Sequence, residues 1–179
     1  MNKQCWLAVV VLVGSWNTMP EVFATEKAGQ EVIKSLSAEE QEGLKAGKGL
    51  KQSMVAELNG YPGPVHVLEL AKELRLSPQQ EAAAQTLARE MTAQAVPVGE
   101  EILRQEAKLD HLFASGHAAP DKITPVVMEL GQLRGRLRLI HLNTHIAMQK
   151  ILTAEQINHY NTARNHGQKH KPETSHTGH

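Results

Sequence analysis

The stretch from Ile123 to Ile151 constrains the fold most. Ile123, Val126, Leu130, Leu133, Leu137, Ile140, Thr144, Ala147 and Ile151 follow one another in steps that alternate three and four. A strand would need a period of two, whereas this spacing marks a helix lying lengthwise against a partner. A second stripe lies upstream, between Pro78 and Phe113: Ala84, Leu87, Met91, Ala95, Val98, Ile102, Leu109 and Leu112. Pro97 falls inside it and predicts a kink. Ser115-Gly116 through Pro120 reads as a turn, so the two long segments form an antiparallel helical hairpin. The fourth helix is expected to begin near Asp121 or Thr124. Aromatic residues are only 3% of the chain, and Trp6, Trp16 and Phe23 fall in its first 24 residues. Sandwiches and barrels lean on aromatic and β-branched side chains. The expectation is an all-α protein: a helical hairpin with short flanking helices.

A five-residue pattern marks three helix starts: Leu36-Ser37-Ala38-Glu39-Glu40, Leu76-Ser77-Pro78-Gln79-Gln80 and Leu152-Thr153-Ala154-Glu155-Gln156. Its physical content is a capping box. The Ser or Thr hydroxyl accepts from the N3 amide, and the N3 Glu or Gln reaches back to the N-cap amide. Pro78 sits at N1, where proline is tolerated best. The first helix is expected to run from about residue 38 to 58, ending before Tyr61-Pro62-Gly63-Pro64. A short helix with apolar residues on several sides follows Pro64, and a last short helix runs from Ala154 to about Arg164.

The ends of the chain read differently. Lys3 followed by the apolar run Trp6–Val13, with Val22-Phe23-Ala24 as a cleavage site, predicts a signal peptide over residues 1–24. The run is too short to span a bilayer comfortably, so no stable membrane insertion is expected after cleavage. Cys5, the one cysteine, would leave with the signal. An exported chain with neither disulfide nor thiol chemistry suits the periplasm of a Gram-negative bacterium. The helical domain is expected over residues 25–165. The tail, residues 166–179, has no apolar side chain and four histidines, which predicts disorder with loose metal affinity. Nineteen Lys and Arg balance nineteen Asp and Glu, so nucleic-acid binding by bulk charge is not expected.

No phosphate loop, nucleophile elbow or mature cysteine is present, so the protein is read as non-enzymatic. Histidine is the exception. His141 and His145 lie one turn apart on the fourth helix, and Met148 follows three residues later. A His-x-x-x-His pair offers two imidazoles to zinc, nickel, cobalt or copper. His66, Glu69 and Glu73 on the short second helix are candidates for further ligands. A second expectation is pH sensing, because unperturbed imidazoles titrate near 6.5. Leu139, Leu142 and Ile146 add apolar area to the opposite side of the fourth helix, which predicts a homodimer or a client surface.

The motifs centred on Leu76, Ser77 and Gln80 and on Leu152, Thr153 and Gln156, in an exported helical chain, resemble the Spy/CpxP (LTxxQ) family. That group includes periplasmic heavy-metal sensors and zinc-resistance proteins of the CnrX and ZraP kind. The stretch from Glu57 to Pro64, running into His66-Val67-Leu68-Glu69-Leu70, is similar to its metal-sensor-like members. The likeness spans roughly Leu36 to Tyr160. It implies a bent hairpin in a cradle-shaped homodimer, and ATP-independent work in envelope stress. Such a protein holds unfolded periplasmic clients, damps a membrane sensor kinase, or binds a heavy metal through His, Glu and Met. The cradle of such chaperones is basic, and this chain has no net charge.

Overall fold

A computed structural model of the protein describes residues 33–169, with side chains as far as residue 164. The expected signal peptide and the tail beyond Lys169 lie outside the described residues. Six helices form: α1 (Ala38–Lys45), α2 (Met54–Glu57), α3 (Pro64–Glu69), α4 (Pro78–Ala114), α5 (Pro120–Gln149) and α6 (Ala154–Lys169). The protein is all-α, and α4 and α5 pack together as the expected hairpin.

All three capping boxes are made. Ser37 and Ser77 accept from the amides of Glu40 and Gln80, and both N3 side chains return the bond. At α6 the Thr153 amide donates to Gln156 Oε1 at 2.9 Å, and the Gln156 amide donates to Thr153 Oγ1 at 3.2 Å. Two of these boxes do more than cap. Gln80 Nε2 donates to Gln156 Oε1 at 2.9 Å and to the Ile151 carbonyl at 2.9 Å. Gln156 Nε2 donates to Gln80 Oε1 at 3.0 Å and to the Leu74 carbonyl at 3.2 Å. The start of α4 is therefore clasped to the start of α6.

Four expectations are corrected. The first helix does not run from 38 to 58. It ends at Lys45, where Gly47, Leu50 and Lys51 take positive φ (63°, 45° and 67°), and a single turn, α2, follows. Left-handed residues cannot continue a right-handed helix. The helix after Pro64 stops at Glu69, so Glu73 lies in a turn and is exposed. The hairpin's second arm begins at Pro120, ahead of Asp121 and Thr124, because proline serves at N1 there as well. Finally, α6 continues to Lys169, past its expected end near Arg164, although no apolar residue follows Ala163.

Apolar burial falls into two cores. One joins Ile33 and Leu44 to Ala95, Val98, Ile102, Leu103, Val126, Leu130, Leu133 and Leu137. Beside it Arg134 pairs with the buried Glu106, which also accepts from Ser35 Oγ at 3.3 Å. The other core, at the opposite end of the hairpin, gathers Val67, Leu74, Ala84, Met148, Leu152 and Tyr160. The buried stripe of α5 passes from Leu137 to Met148 through His141 and His145. That passage places two imidazoles between the cores.

Candidate functional site

His141 and His145 are only 3% and 4% exposed. The apolar pattern of α5 pointed to Ile140, Thr144 and Ala147 as the seam, but these are half-buried. The difference arises because the end of α5 is covered twice, by α4 on one side and by the segment around α2 and α3 on the other. Glycines make that cover possible. A Cβ on Gly63 would stand 2.8 Å from His145 Cε1 and 3.0 Å from its Nε2, and one on Gly49 would stand 3.1 Å from His141 Nδ1.

The two covered imidazoles open onto a cavity of about 560 Å³. Its wall also includes Glu57, His66, Met91 and Arg164. His145 Nδ1 lies 2.8 Å from the Tyr61 carbonyl. A carbonyl only accepts, so Nδ1 carries the hydrogen and Nε2 of the neutral ring keeps its lone pair. His66 Nδ1 lies 2.9 Å from Glu69 Oε2; a carboxylate only accepts, so this nitrogen carries a hydrogen. His66 Nε2 then faces Glu57 Oε1 at 3.5 Å, beyond the range of a good hydrogen bond. The Cβ point of Gly63, 3.0 Å from His145 Nε2, is also 3.3 Å from Glu57 Oε1. Glu57 and His145 thus lie on either side of Gly63, whereas His66 Nε2 faces the Glu57 carboxylate directly. On the far side of that carboxylate, Oε2 accepts from Arg164 Nη2 at 3.2 Å.

His141 lies deeper. Its Nε2 is buried without a partner, an arrangement rare in folded proteins. Burial, and then the neighbouring His145, hold its pKa below the ordinary histidine value. The Tyr160 hydroxyl is also buried without a partner; burial first, then the Glu57 charge, push its pKa up to about 12.

The expected ligands divide. His66, His141 and His145 come together at the cavity. Glu69 reaches it only through His66, as the acceptor that orients the ring. Glu73 stays outside, and Met148 is fully buried in the apolar core with Val67, Leu74 and Tyr160, so it packs there instead of facing the imidazoles. The sequence reading missed Glu57, Met91 and Arg164. The segment from Glu57 to Pro64 had drawn notice as a motif, but its carboxylate was not assigned a task.

Among the described residues, no three His, Cys, Asp or Glu side chains converge tightly enough to hold a metal ion as they lie. The side chains of Glu57 and His66 are 20% and 36% exposed, which leaves both room to rotate. Among the described residues no helix is long and apolar enough to cross a membrane. Comparison with protein-family models, with curated proteins and with solved structures finds no match.

Proposed function

We propose that this is a non-enzymatic, exported metal-binding protein whose centre is built by Glu57, His66 and His145, with His141 behind them. The observation that carries this reading is the arrangement of acceptors around the two rings. Each Nδ1 is tied to a carbonyl or carboxylate oxygen, which is how outer partners orient histidine ligands. His66, His141 and His145 all line the cavity. Two donors at about 2.0–2.1 Å from a tetrahedral ion stand about 3.3–3.4 Å apart. The 3.5 Å between His66 Nε2 and Glu57 Oε1 is close to that edge and too long for a hydrogen bond of ordinary strength. Imidazole and carboxylate donors suit zinc, nickel, cobalt or copper(II). A bound ion would supply positive charge to the carboxylate and a Lewis acid to the imidazoles, and His66, His145 and Glu57 would hold it.

The resemblance of the two Gln-bearing motifs to the Spy/CpxP group supports a place among envelope-stress proteins of the periplasm. Calorimetric titration of the full chain with zinc and nickel at pH 7.5 tests the reading. One tight site per chain is expected, and it should disappear in His66→Ala and in His145→Ala. If both variants bind as the parent does, the metal lies elsewhere, for example on the tail histidines.

A second reading is supported by apolar side chains on the outside of α5. Leu139 and Ile146 are exposed, Leu142 is half-buried, and Val127 and Met128 continue the exposed area towards the hairpin turn. These suit a homodimer contact, an unfolded client or a membrane sensor kinase. A chaperone of this kind suppresses aggregation of an unfolded protein in the presence of EDTA, and Leu139→Glu with Ile146→Glu abolishes that effect.

A further inference from the structure

The cavity beside the imidazoles is larger than an ion requires, and its charge is unevenly distributed. At about 560 Å³ it falls within the range of pockets that take small organic molecules. Most of the surface its wall presents is apolar. Pro64, Met91, His141 and His145 form the buried part of that wall. Burial holds the pKa of His141 below the ordinary histidine value, so this ring is uncharged at pH 7.5. Lys48, Lys51, Met54 and Val65 belong to the exposed part. Neither lysine pairs with an acidic side chain among the described residues. The carboxylate of the wall, Glu57, is already matched: Oε2 accepts from Arg164 Nη2 at 3.2 Å, and Oε1 faces His66 Nε2. The link that carries both lysines follows an unusual course. Leu50 and Lys51 take φ of 45° and 67°, which side chains disfavour, and Gly49 passes against the His141 ring. Strained backbone of this kind clusters at ligand clamps.

We infer that this cavity binds a free medium-chain fatty acid, its hydrocarbon tail against Met91 and Pro64 and its carboxylate towards Lys48 and Lys51. The inference does not rest on the metal reading, since it calls on other residues and needs no ion. Two physical terms carry it. Moving a hydrocarbon chain from water onto an apolar wall is favourable in proportion to the area covered. The two lysines, without acidic partners and still in contact with water, then decide the sign of the head group and its direction. A carboxylate beside them keeps part of its hydration and gains their charge. The reverse orientation would bury that carboxylate beside Met91 and an uncharged imidazole, at a large desolvation cost. A neutral alcohol of the same length gains the apolar term alone. The apolar residues line a concavity and not a flat face, which suits one free molecule over the surface of a bilayer.

The methionines make the test site-specific. Met54 and Met91 line the cavity, Met128 is exposed on α5, and Met148 is fully buried in the apolar core. The full chain, labelled with carbon-13 at the methionine methyls, is titrated with octanoate at pH 7.5 in the presence of EDTA. The Met54 and Met91 signals should move and saturate together, while those of Met128 and Met148 stay in place. Lys48→Gln with Lys51→Gln should weaken octanoate binding several-fold and leave the affinity for octanol unchanged. Both lysines are exposed, so the urea midpoint of this double variant should match the parent. Thr92→Glu, which sets a negative charge on the exposed part of the same wall, should also weaken octanoate binding several-fold. Several results overturn the inference: no saturable shift of Met91, equal movement of Met128, or octanoate affinity unchanged in the lysine variant. Shifts of Met54 and Met91 that follow protein concentration instead of octanoate assign the cavity to a second copy of the chain. Shifts produced by phosphatidylglycerol vesicles and not by octanoate assign it to a membrane surface. Either of these also overturns the inference. With EDTA present, none of these outcomes bears on the metal centre, which the zinc titration tests separately.

Discussion

At the scale of single residues, the two histidines of α5 differ in what holds them. His145 is anchored by the Tyr61 carbonyl, while His141 is buried with Nε2 unpartnered and a lowered pKa. A lowered value means that the unfolded chain takes a proton which the folded chain refuses. Stability is therefore unaffected well above about 6.5, and falls as pH drops from there towards the folded-state value. Urea midpoints of the metal-free protein at pH 7.5 and pH 5.5 should show that loss, and His141→Gln should show a smaller one. Equal losses in both proteins would mean that His141 is not the group responsible. Met148 makes the opposite case. It is fully buried in the apolar core, so Met148→Ala should cost about 2–5 kcal/mol while zinc affinity is unchanged. Met148 was grouped with the histidines because it follows His145 by three positions. Spacing along a helix gives the face, but not which neighbour covers it.

At the scale of elements, the legible parts were those that depend on near neighbours in sequence. The capping boxes bond residue to residue three positions on, so Ser37, Ser77 and Thr153 announced three helix starts without tertiary knowledge. The stripes of α4 and α5 announced the hairpin in the same way. What sequence did not disclose was that two caps meet. Gln80 and Gln156 are 76 residues apart, and each serves its own cap while bonding the other. Replacing either by Ala leaves partly buried acceptors without donors, and should lower stability by about 1–3 kcal/mol. The double variant should lose less than the sum of the two, measured by chemical denaturation. A strictly additive result would mean that the clasp contributes nothing beyond the two caps. The loss of the expected helix over 38–58 has a similar origin. Leu50 and Lys51 adopt left-handed backbone that their side chains disfavour, which local propensity does not foresee.

At the scale of the whole molecule, the site lies where two apolar cores leave a gap filled by imidazoles. Its side chains come from α2, α3 and α5, and His145 meets Tyr61 across 84 residues. His66 and the His141–His145 pair were visible in the sequence because histidine is chemically conspicuous. Glu57 was not, because one glutamate among nineteen acidic residues reads as a solvated charge until a fold sets it against two rings. The same fold fixes Gly63 against His145. Gly63→Ala should therefore weaken zinc binding and lower the melting temperature together, since its Cβ would stand 2.8 Å from the ring. Leu139 and Ile146 stay on the outer face of α5 and belong to a different question. If that face pairs two copies, sedimentation at micromolar concentration should give a dimer, and Leu139→Glu with Ile146→Glu a monomer. A stable parental monomer would reserve the face for another partner.

In the proposed centre, Nε2 of His66 and of His145 would be the metal-binding atoms, with each Nδ1 held protonated. Nitrogen-15 NMR of the histidine rings, recorded on the full chain before and after one equivalent of zinc, observes those atoms directly. The prediction is that both rings show a protonated Nδ1 and a lone-pair Nε2 without zinc, and that these two Nε2 signals move to the metal-bound range with it. If zinc shifts only histidines of the tail, or binds His66 and His145 through Nδ1, the proposed centre is wrong.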